Sequence, residues 1–152
     1  MLEAARNRVV GSAVAIALLM VFVPQFSALP TGISGASVQN GCTCHSATVD
    51  DSVSLSLEGL PETYVSEESY NLGISLIGGP EASGENHGGF NLRANHGTLI
   101  PLDDSVQVIE GATTHTEIGN DQRVWQVQWV APESDTVWVT FTLLGNAVNG
   151  DG

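Results

Sequence analysis

Two cysteines and a histidine near residue 42 are the side chains in this sequence best suited to chemistry. They read Cys42-Thr43-Cys44-His45 and include both cysteines of the 152-residue chain. Two thiols followed directly by an imidazole are typical of covalent haem attachment, in which the thiols bond the porphyrin and the histidine ligates the iron. The usual spacing has two residues between the cysteines. Here only Thr43 separates them, so attachment through one cysteine, or through none, stays open.

The same residues allow two other interpretations. Thiolate and imidazole suit zinc or copper, but these three ligands are too close in sequence to surround a tetrahedral ion. A fourth ligand would have to come from His87, His96 or His115. Alternatively, the cysteines form a plain disulfide, as in many exported proteins. A bond across one residue would be strained and therefore labile. The residues alone leave haem, another metal and a disulfide equally open.

A six-coordinate haem would need a second axial ligand from elsewhere in the chain. His115 lies in the strand-like segment 113–118 and is the first choice, and His96 is the second. No catalytic residues are predicted, because no Ser–His–Asp spacing and no phosphate-binding loop before a helix is present. A bound haem would itself carry the redox chemistry, and the protein would supply ligands and burial.

The charge balance argues against several classes of function. The chain has 17 acidic residues against four arginines, contains no lysine, and carries a formal net charge of −13. Binding to nucleic acid or to anionic lipid is not expected, because both need clustered basic residues. The chain is 42% hydrophobic and 14% charged, a composition typical of a folded domain with a core.

The N-terminus has the pattern of a secretory signal. Arg6 and Arg8 precede an uncharged apolar run at residues 9–23. That run is shorter than the roughly 20 residues of a spanning helix, so a cleaved signal peptide over residues 1–28 is favoured over an uncleaved N-terminal anchor. Its removal would leave 16 acidic residues and two arginines, a net charge of −14.

Most of the remaining chain has the pattern of an antiparallel β-sandwich. Residues 29–48 lack periodicity and are predicted to be an extended segment that carries the cysteine motif. The predicted strands are 52–57, 70–77, 89–94, 106–109, 113–118, 123–130 and 136–143. Gly, Pro, Asn and Asp separate them, and no amphipathic helical stretch intervenes. This spacing predicts an all-β, immunoglobulin-like sandwich of seven to eight strands over residues 49–152. Trp125, Val127 and Trp129 share one strand face and are predicted core.

Several short segments, taken in order, resemble the Reeler-like surface domain, whose microbial members are often labelled choice-of-anchor V. They are residues 41–46, 70–72, 89–92, 97–99, 114–116, 125–132, 139–141 and 145–152. The most specific are Trp-x-x-x-Trp-x-Ala-Pro at 125–132 and Gly-Asn-Ala-x-Asn-Gly at 145–150. The resemblance covers about residues 30–152.

The resemblance implies an exported cell-surface domain, usually followed by further modules or a C-terminal anchor. We therefore expect the sequence to stop short of the domain's C-terminal end. We expect membrane attachment only through the N-terminal signal or anchor, or through such a missing C-terminal anchor. In similar microbial domains a Cys-x-x-Cys-His sequence stands where Cys42–His45 stand here, and a histidine stands near His115. That implies His45 as the proximal haem ligand and His115 as the opposite one. Animal relatives act in extracellular matrix and adhesion and have no evident need of haem.

Three functions follow from these patterns. The first is an exported, cell-surface electron-transfer domain that holds one haem c through Cys42, Cys44 and His45, with His115 opposite, and that meets a redox partner. The second is a non-enzymatic adhesion or matrix module, in which the cysteine pair is structural or redox-labile and the partner is a cell-surface or matrix protein. The third is a small zinc or copper site.

Overall fold

The computed structural model describes residues 31–32, 51–134 and 137–150. The predicted signal peptide and the Cys42–His45 motif lie outside these ranges. Within them, eight strands form two four-stranded antiparallel sheets. The strands are β1 Val53–Glu58, β2 Ser69–Gly78, β3 Gly88–Ala94, β4 Thr98–Pro101, β5 Val106–Ile109, β6 Ala112–His115, β7 Val124–Val130 and β8 Phe141–Ala147. A short 3-10 helix, Ile118–Asp121, precedes β7. The prediction of an all-β antiparallel sandwich is confirmed for the described residues.

The two sheets have the orders β1-β2-β7-β4 and β5-β6-β3-β8. Only β1–β2 and β5–β6 are neighbours both in sequence and in a sheet, so each of the other connections crosses from one sheet to the other. β5 and β6 are joined through Glu110 and Gly111, whose φ angles are 49° and 76°. Two positive φ angles are typical of the tight hairpin turn that matches the twist of the flanking strands.

The core lies between the sheets and is centred on β7. Trp125, Val127 and Trp129 are each at most 1% exposed, which confirms the predicted core face of this strand. Their register partners on β2 are Ile74, Leu72 and Tyr70, respectively. The opposite sheet contributes Phe90 and Leu92 of β3. Burial of each such side chain contributes about 1.5–3 kcal/mol to folding.

Arg123 ties the segment between β2 and β3 to the sandwich. Its Nη1 donates to Gly78 O at 2.7 Å, and its Nη2 donates to Pro80 O at 2.7 Å. Nε donates to His87 O at 3.0 Å, and Nη2 also lies 2.9 Å from Val148 O. One guanidinium therefore links both ends of this segment to the residue after β8.

Two predicted strands differ from the structure by three residues or more at one or both ends, and the others by at most one residue at each end. The last strand, predicted over 136–143, begins at Phe141. Before it, the Asn95 side chain bonds Trp138 O and Thr140 N–H, and only one backbone bond, from Asn95 N–H to Thr140 O at 3.1 Å, continues the pairing. The predicted strand 113–118 ends at His115. Beyond it, the Thr116 hydroxyl accepts a hydrogen bond from Gly119 N–H at 3.1 Å as the 3-10 helix begins.

β4 does not follow from the sequence pattern, because it is only four residues long and ends at a proline. It is an edge strand, a position that tolerates proline. No helix in the described ranges is long and apolar enough to cross a membrane.

Candidate functional site

His115, the predicted distal ligand, is the last residue of β6 and lies half-buried where that strand diverges from β3. The β3–β6 ladder includes only Thr113 and Thr114 on the β6 side. Past this pairing, side chains of β6 and not its backbone bond to β3. The Thr114 hydroxyl donates to Phe90 O at 2.6 Å, and His115 Nδ1 accepts a hydrogen bond from Phe90 N–H at 3.2 Å. Two side chains of β6 thus satisfy the backbone of Phe90.

The imidazole of His115 packs against the backbone of Gly89. A β-carbon at position 89 would lie 2.8 Å from Nδ1, well inside van der Waals contact. The absence of a side chain there lets the ring approach the strand closely. Burial lowers the pKa of His115 from its ordinary value because desolvation disfavours the charged ring, and the Phe90 backbone opposes this in part.

The hydrogen bonds indicate which ring nitrogen of His115 carries the proton. Nδ1 is also 3.4 Å from Phe90 O, but that oxygen already accepts the much shorter bond from Thr114. We therefore assign Nδ1 as the acceptor and place the proton on Nε2. A histidine that ligates a metal through Nε2 instead donates its Nδ1–H to an acceptor such as a carbonyl. The assigned tautomer of His115 is therefore opposite to that of a ligand bound through Nε2.

The other candidate histidines are distributed along β3. His115 lies beside Gly89, near the start of this strand, whereas His96 follows its end and accepts a hydrogen bond from Trp129 Nε1 at 3.1 Å on its carbonyl oxygen. Gly89 and Ala94 are five positions apart along the strand, a distance of roughly 16 Å. His96 therefore cannot share an ion with His115. His87 precedes β3 near the His115 end, and its ring bonds to Gly84 O. In residues 31–32, 51–134 and 137–150, no three His, Cys, Asp or Glu side chains are grouped to hold a metal ion.

Cys42, Cys44 and His45 lie outside the described residues, so their ligand role stays a prediction. The described residues on either side of them attach at one end of the sandwich. A β-carbon on Gly32 would lie 2.6 Å from Thr114 Oγ1 and 2.7 Å from His115 O, so its backbone lies against the end of β6. On the other side, Ser52 O accepts a bond from Gly79 N–H at 3.3 Å, and Val53 opens β1 opposite Gly78.

These two attachment points lie near the start of β3. A β-carbon on Gly79 would lie 2.8 Å from Ala147 Cβ. Ala147 in turn pairs with Gly88, the first residue of β3. Gly32 and Ser52 therefore both contact the sandwich at the end where His115 lies.

A second site lies around Trp138, and sequence reasoning did not identify it as a site. Trp138 is 91% exposed, whereas the two other tryptophans of the chain are 1% exposed. It borders a groove of about 430 Å³ between two segments that approach each other at the surface. The lining residues are Leu60, Pro61, Glu62, Thr63, Tyr64, Trp129, Val137, Trp138, Val139 and Phe141. We call this site the Trp138 groove. The only sequence signal for it was that Trp138 alternates with the inward-facing Val137 and Val139.

Aromatic packing forms the inner wall of the Trp138 groove. The ring of Trp129 meets Tyr64 edge-on at 5.5 Å and Phe141 edge-on at 5.1 Å, measured between ring centroids. Tyr70 stacks on Trp129 at 5.6 Å. Because Trp129 belongs to the core, the groove has a rigid floor.

Hydrogen bonds hold the backbone on both sides of Trp138. The Tyr64 hydroxyl lies 2.7 Å from Ser134 O and 2.9 Å from Val137 O, within bonding distance of both carbonyls. Asn95 Nδ2 donates to Trp138 O at 3.3 Å, and Asn95 Oδ1 accepts a bond from Thr140 N–H at 2.7 Å. The exposed indole therefore projects from a fixed backbone.

No family model and no curated protein matches the chain. Among solved structures, it is similar to the Reelin-N domain of F-spondin, with 25% identity, a TM-score of 0.48, and 65% of this chain and 75% of that chain covered. It is also similar to two structures of the human F-spondin reeler domain. The first has 25% identity, a TM-score of 0.46, and coverage of 60% of this chain and 73% of that one. The second has 26% identity, a TM-score of 0.44, and coverage of 60% and 76%.

Proposed function

We propose that the protein is a non-enzymatic module of the cell exterior that binds a partner protein through the Trp138 groove. The observation that carries this proposal is the 91% exposure of Trp138 beside an apolar groove. Covering an exposed indole with a partner removes apolar surface from water, which favours binding. Tryptophan is also enriched among the residues that dominate interface energies. The fixed backbone around Trp138 lowers the entropy cost of such binding.

The sequence supplies the cellular setting for this proposal. The N-terminal pattern of arginines and an apolar run favours export, so the groove would meet cell-surface or matrix proteins. The net charge of −13 keeps such a domain soluble through like-charge repulsion.

Bead adhesion tests the proposal. The 152-residue chain is expressed with its predicted signal, recovered after export and coupled to beads. Bead retention is then counted on a panel of immobilised extracellular matrix proteins. Trp138→Ala should lower retention by about fivefold or more on at least one of these proteins, because a central tryptophan commonly contributes 1–2 kcal/mol or more. Ile118→Ala is the matched control, since Ile118 is 71% exposed and does not line the groove. Equal retention of wild type and Trp138→Ala on every surface would contradict the proposal.

We propose haem-dependent electron transfer as a second candidate function. It is favoured by one observation: Gly32 and Ser52, on either side of the motif in sequence, both contact the sandwich at the end where His115 lies. A centre built from Cys42, Cys44 and His45 would then have His115 within reach. To ligate through Nε2, His115 would first have to lose the bond from Phe90 N–H and donate its Nδ1 proton to Phe90 O.

An absorbance spectrum tests the second candidate. Protein matured with a cytochrome c assembly system should show a Soret band that survives denaturation, and His115→Ala should convert a six-coordinate spectrum to a five-coordinate one. A colourless product with no bound iron, and with both cysteines oxidised by mass measurement, would reject haem and leave the adhesion module standing.

A further inference from the structure

We propose that the Trp138 groove binds the side chain of an arginine or lysine in a basic segment of the partner protein. This inference rests on the proposed binding function and names the chemistry that the groove selects. Glu62 is the only charged residue among those that line the groove. The rest of the wall is aromatic or aliphatic apart from Thr63, so an occupant gains most if it combines a cationic head with an apolar stem.

The aromatic side chains give the groove an affinity for cations. The face of an indole ring attracts an ammonium or guanidinium group, and tryptophan does so more strongly than tyrosine or phenylalanine. Trp138 offers such a ring almost free of protein contacts. Glu62 provides the carboxylate that a guanidinium group can bond in two places.

The aliphatic residues of the groove suit the stem of the same side chain. Leu60, Val137 and Val139 lie along its walls. Arginine and lysine side chains pack their methylene groups on apolar surface while the charged end stays hydrated. The groove volume of about 430 Å³ lies within the usual range of ligand sites.

The charge of the whole molecule selects the same partner. A chain with 17 acidic and four basic residues repels acidic proteins and a second copy of itself. The two arginines of the described ranges, Arg93 and Arg123, do not line the groove. Arg123 is bonded to the carbonyls around Gly78 and His87. The groove therefore has no described cation of its own that would compete with a partner's side chain.

Tryptophan fluorescence provides a direct test. Trp125 and Trp129 are buried, so the water-exposed emission of the full chain comes from Trp138. The probe is the acetylated, amidated peptide Gly-Arg-Gly-Arg-Gly, and its matched control carries citrulline in place of each arginine, which keeps the shape and removes the charge. We expect a saturable change in emission with the arginine peptide and binding that is about tenfold weaker or more with citrulline.

Two charge variants separate the groove from the general acidity of the protein. Glu62→Gln should weaken binding of the arginine peptide about fivefold or more, since it removes the carboxylate of the groove. Glu81→Gln removes the same charge from an exposed residue outside the groove and should change binding less than about twofold. Trp138→Ala should abolish the response. The fold of the Trp138→Ala variant is checked by circular dichroism. Peptide binding to this variant is measured by calorimetry, because the variant lacks the fluorescent indole.

Three outcomes would overturn the inference. One is equal binding of the arginine and citrulline peptides. Another is equal weakening by Glu62→Gln and Glu81→Gln, which would indicate diffuse attraction. The third is Trp138-dependent binding of a neutral oligosaccharide such as chitohexaose with no peptide binding, which would assign the groove to sugars. If bead retention still depends on Trp138 in any of these cases, the adhesion function stands and only the cationic ligand is wrong.

Discussion

At the scale of single residues, His115 completes the backbone hydrogen bonding of β3 where β6 has diverged from it. Its Nδ1 takes the Phe90 N–H that a strand neighbour would otherwise take. The neutral ring also fills the space that Gly89 leaves by having no side chain. The ring therefore acts as a packed part of the sheet edge, and two measurable consequences follow.

The first consequence concerns Gly89. Gly89→Ala should destabilise the protein by about 1–3 kcal/mol, because the new methyl group overlaps the His115 ring and forces it from its site. Urea unfolding measures the loss. Gly73→Ala is the matched control, because its methyl group would meet the flexible end of Gln126 at 3.3 Å. A smaller loss for Gly89→Ala than for Gly73→Ala would contradict the packing described for His115.

The second consequence is a pH dependence of stability. Burial holds the pKa of His115 below its ordinary value of 6.5, so the unfolded chain takes up this proton more readily than the folded one. The contribution of the buried, neutral His115 ring to the free energy of unfolding is therefore complete above pH 6.5. It declines as the pH falls from there towards the lowered pKa. Between about pH 7.5 and 5.5, wild type should therefore lose more stability in urea than His115→Gln does.

His96→Gln is the control for that experiment, because it removes an exposed imidazole. It should show the wild-type decline between the two pH values. If His115→Gln shows the same decline as wild type, the buried ring is not the source of the pH dependence.

At the scale of elements, the segment before β8 alternates like a strand but is held largely by side chains. Val137 and Val139 are half-buried and Trp138 is exposed, as in a strand. Most of its hydrogen bonds, however, go to side chains. The Asn95 amide bonds Trp138 O and Thr140 N–H, and the Tyr64 hydroxyl lies 2.9 Å from Val137 O. Asn95 N–H adds one backbone bond, to Thr140 O at 3.1 Å. Asn95 follows β3, so β3 positions the outer wall of the Trp138 groove.

Asn95→Ala should therefore destabilise the protein by about 1–3 kcal/mol, because it leaves Thr140 N–H and Trp138 O without these bonds. Asn95→Asp should cost less, since the oxygen that accepts from Thr140 N–H remains. Urea unfolding measures both, and the anisotropy of Trp138 fluorescence should fall in Asn95→Ala as the indole gains freedom. Equal stability of Asn95→Ala and wild type would show that the amide does not hold the segment.

The elements that could be predicted from the sequence are those with a strong local pattern. β7 alternates Trp, Val and Trp with glutamines, so its buried face was correctly predicted. The start of β8 could not be predicted, because it depends on Asn95, 45 residues away from Thr140. The same limit applies to the sites. The Trp138 groove combines two segments far apart in sequence, and the hydrogen bond from Phe90 N–H to His115 spans 25 residues.

At the scale of the whole molecule, the charge of −13 opposes compaction and self-association together. The melting temperature should therefore rise as NaCl increases from about 10 to 300 mM, because the screening length falls from about 30 Å to less than 10 Å. A gain of about 1 kcal/mol corresponds to roughly 2–4 °C for a domain of this size.

Salt should have the opposite effect on the Trp138 groove. The same NaCl that raises the melting temperature should weaken binding of the arginine peptide, because it screens Glu62. Titration of the peptide at the two salt concentrations, with the melting curves as the matched control, separates the two effects. A melting temperature that falls with salt would contradict the view that self-repulsion limits stability.

The hydrogen bonds of Arg123 also bear on how long the protein lasts outside a cell. Proteases that cut after arginine or lysine find only two targets in residues 9–152, Arg93 and Arg123. Arg93 lies within β3, and the side chain of Arg123 is bound to backbone carbonyls. Neither arginine therefore lies in an extended loop that a protease could bind directly. Such proteases need locally opened chain, and their rate of attack follows how often the sheet opens. The scarcity of cations that makes the surface acidic thus also makes the folded domain durable against trypsin-like digestion.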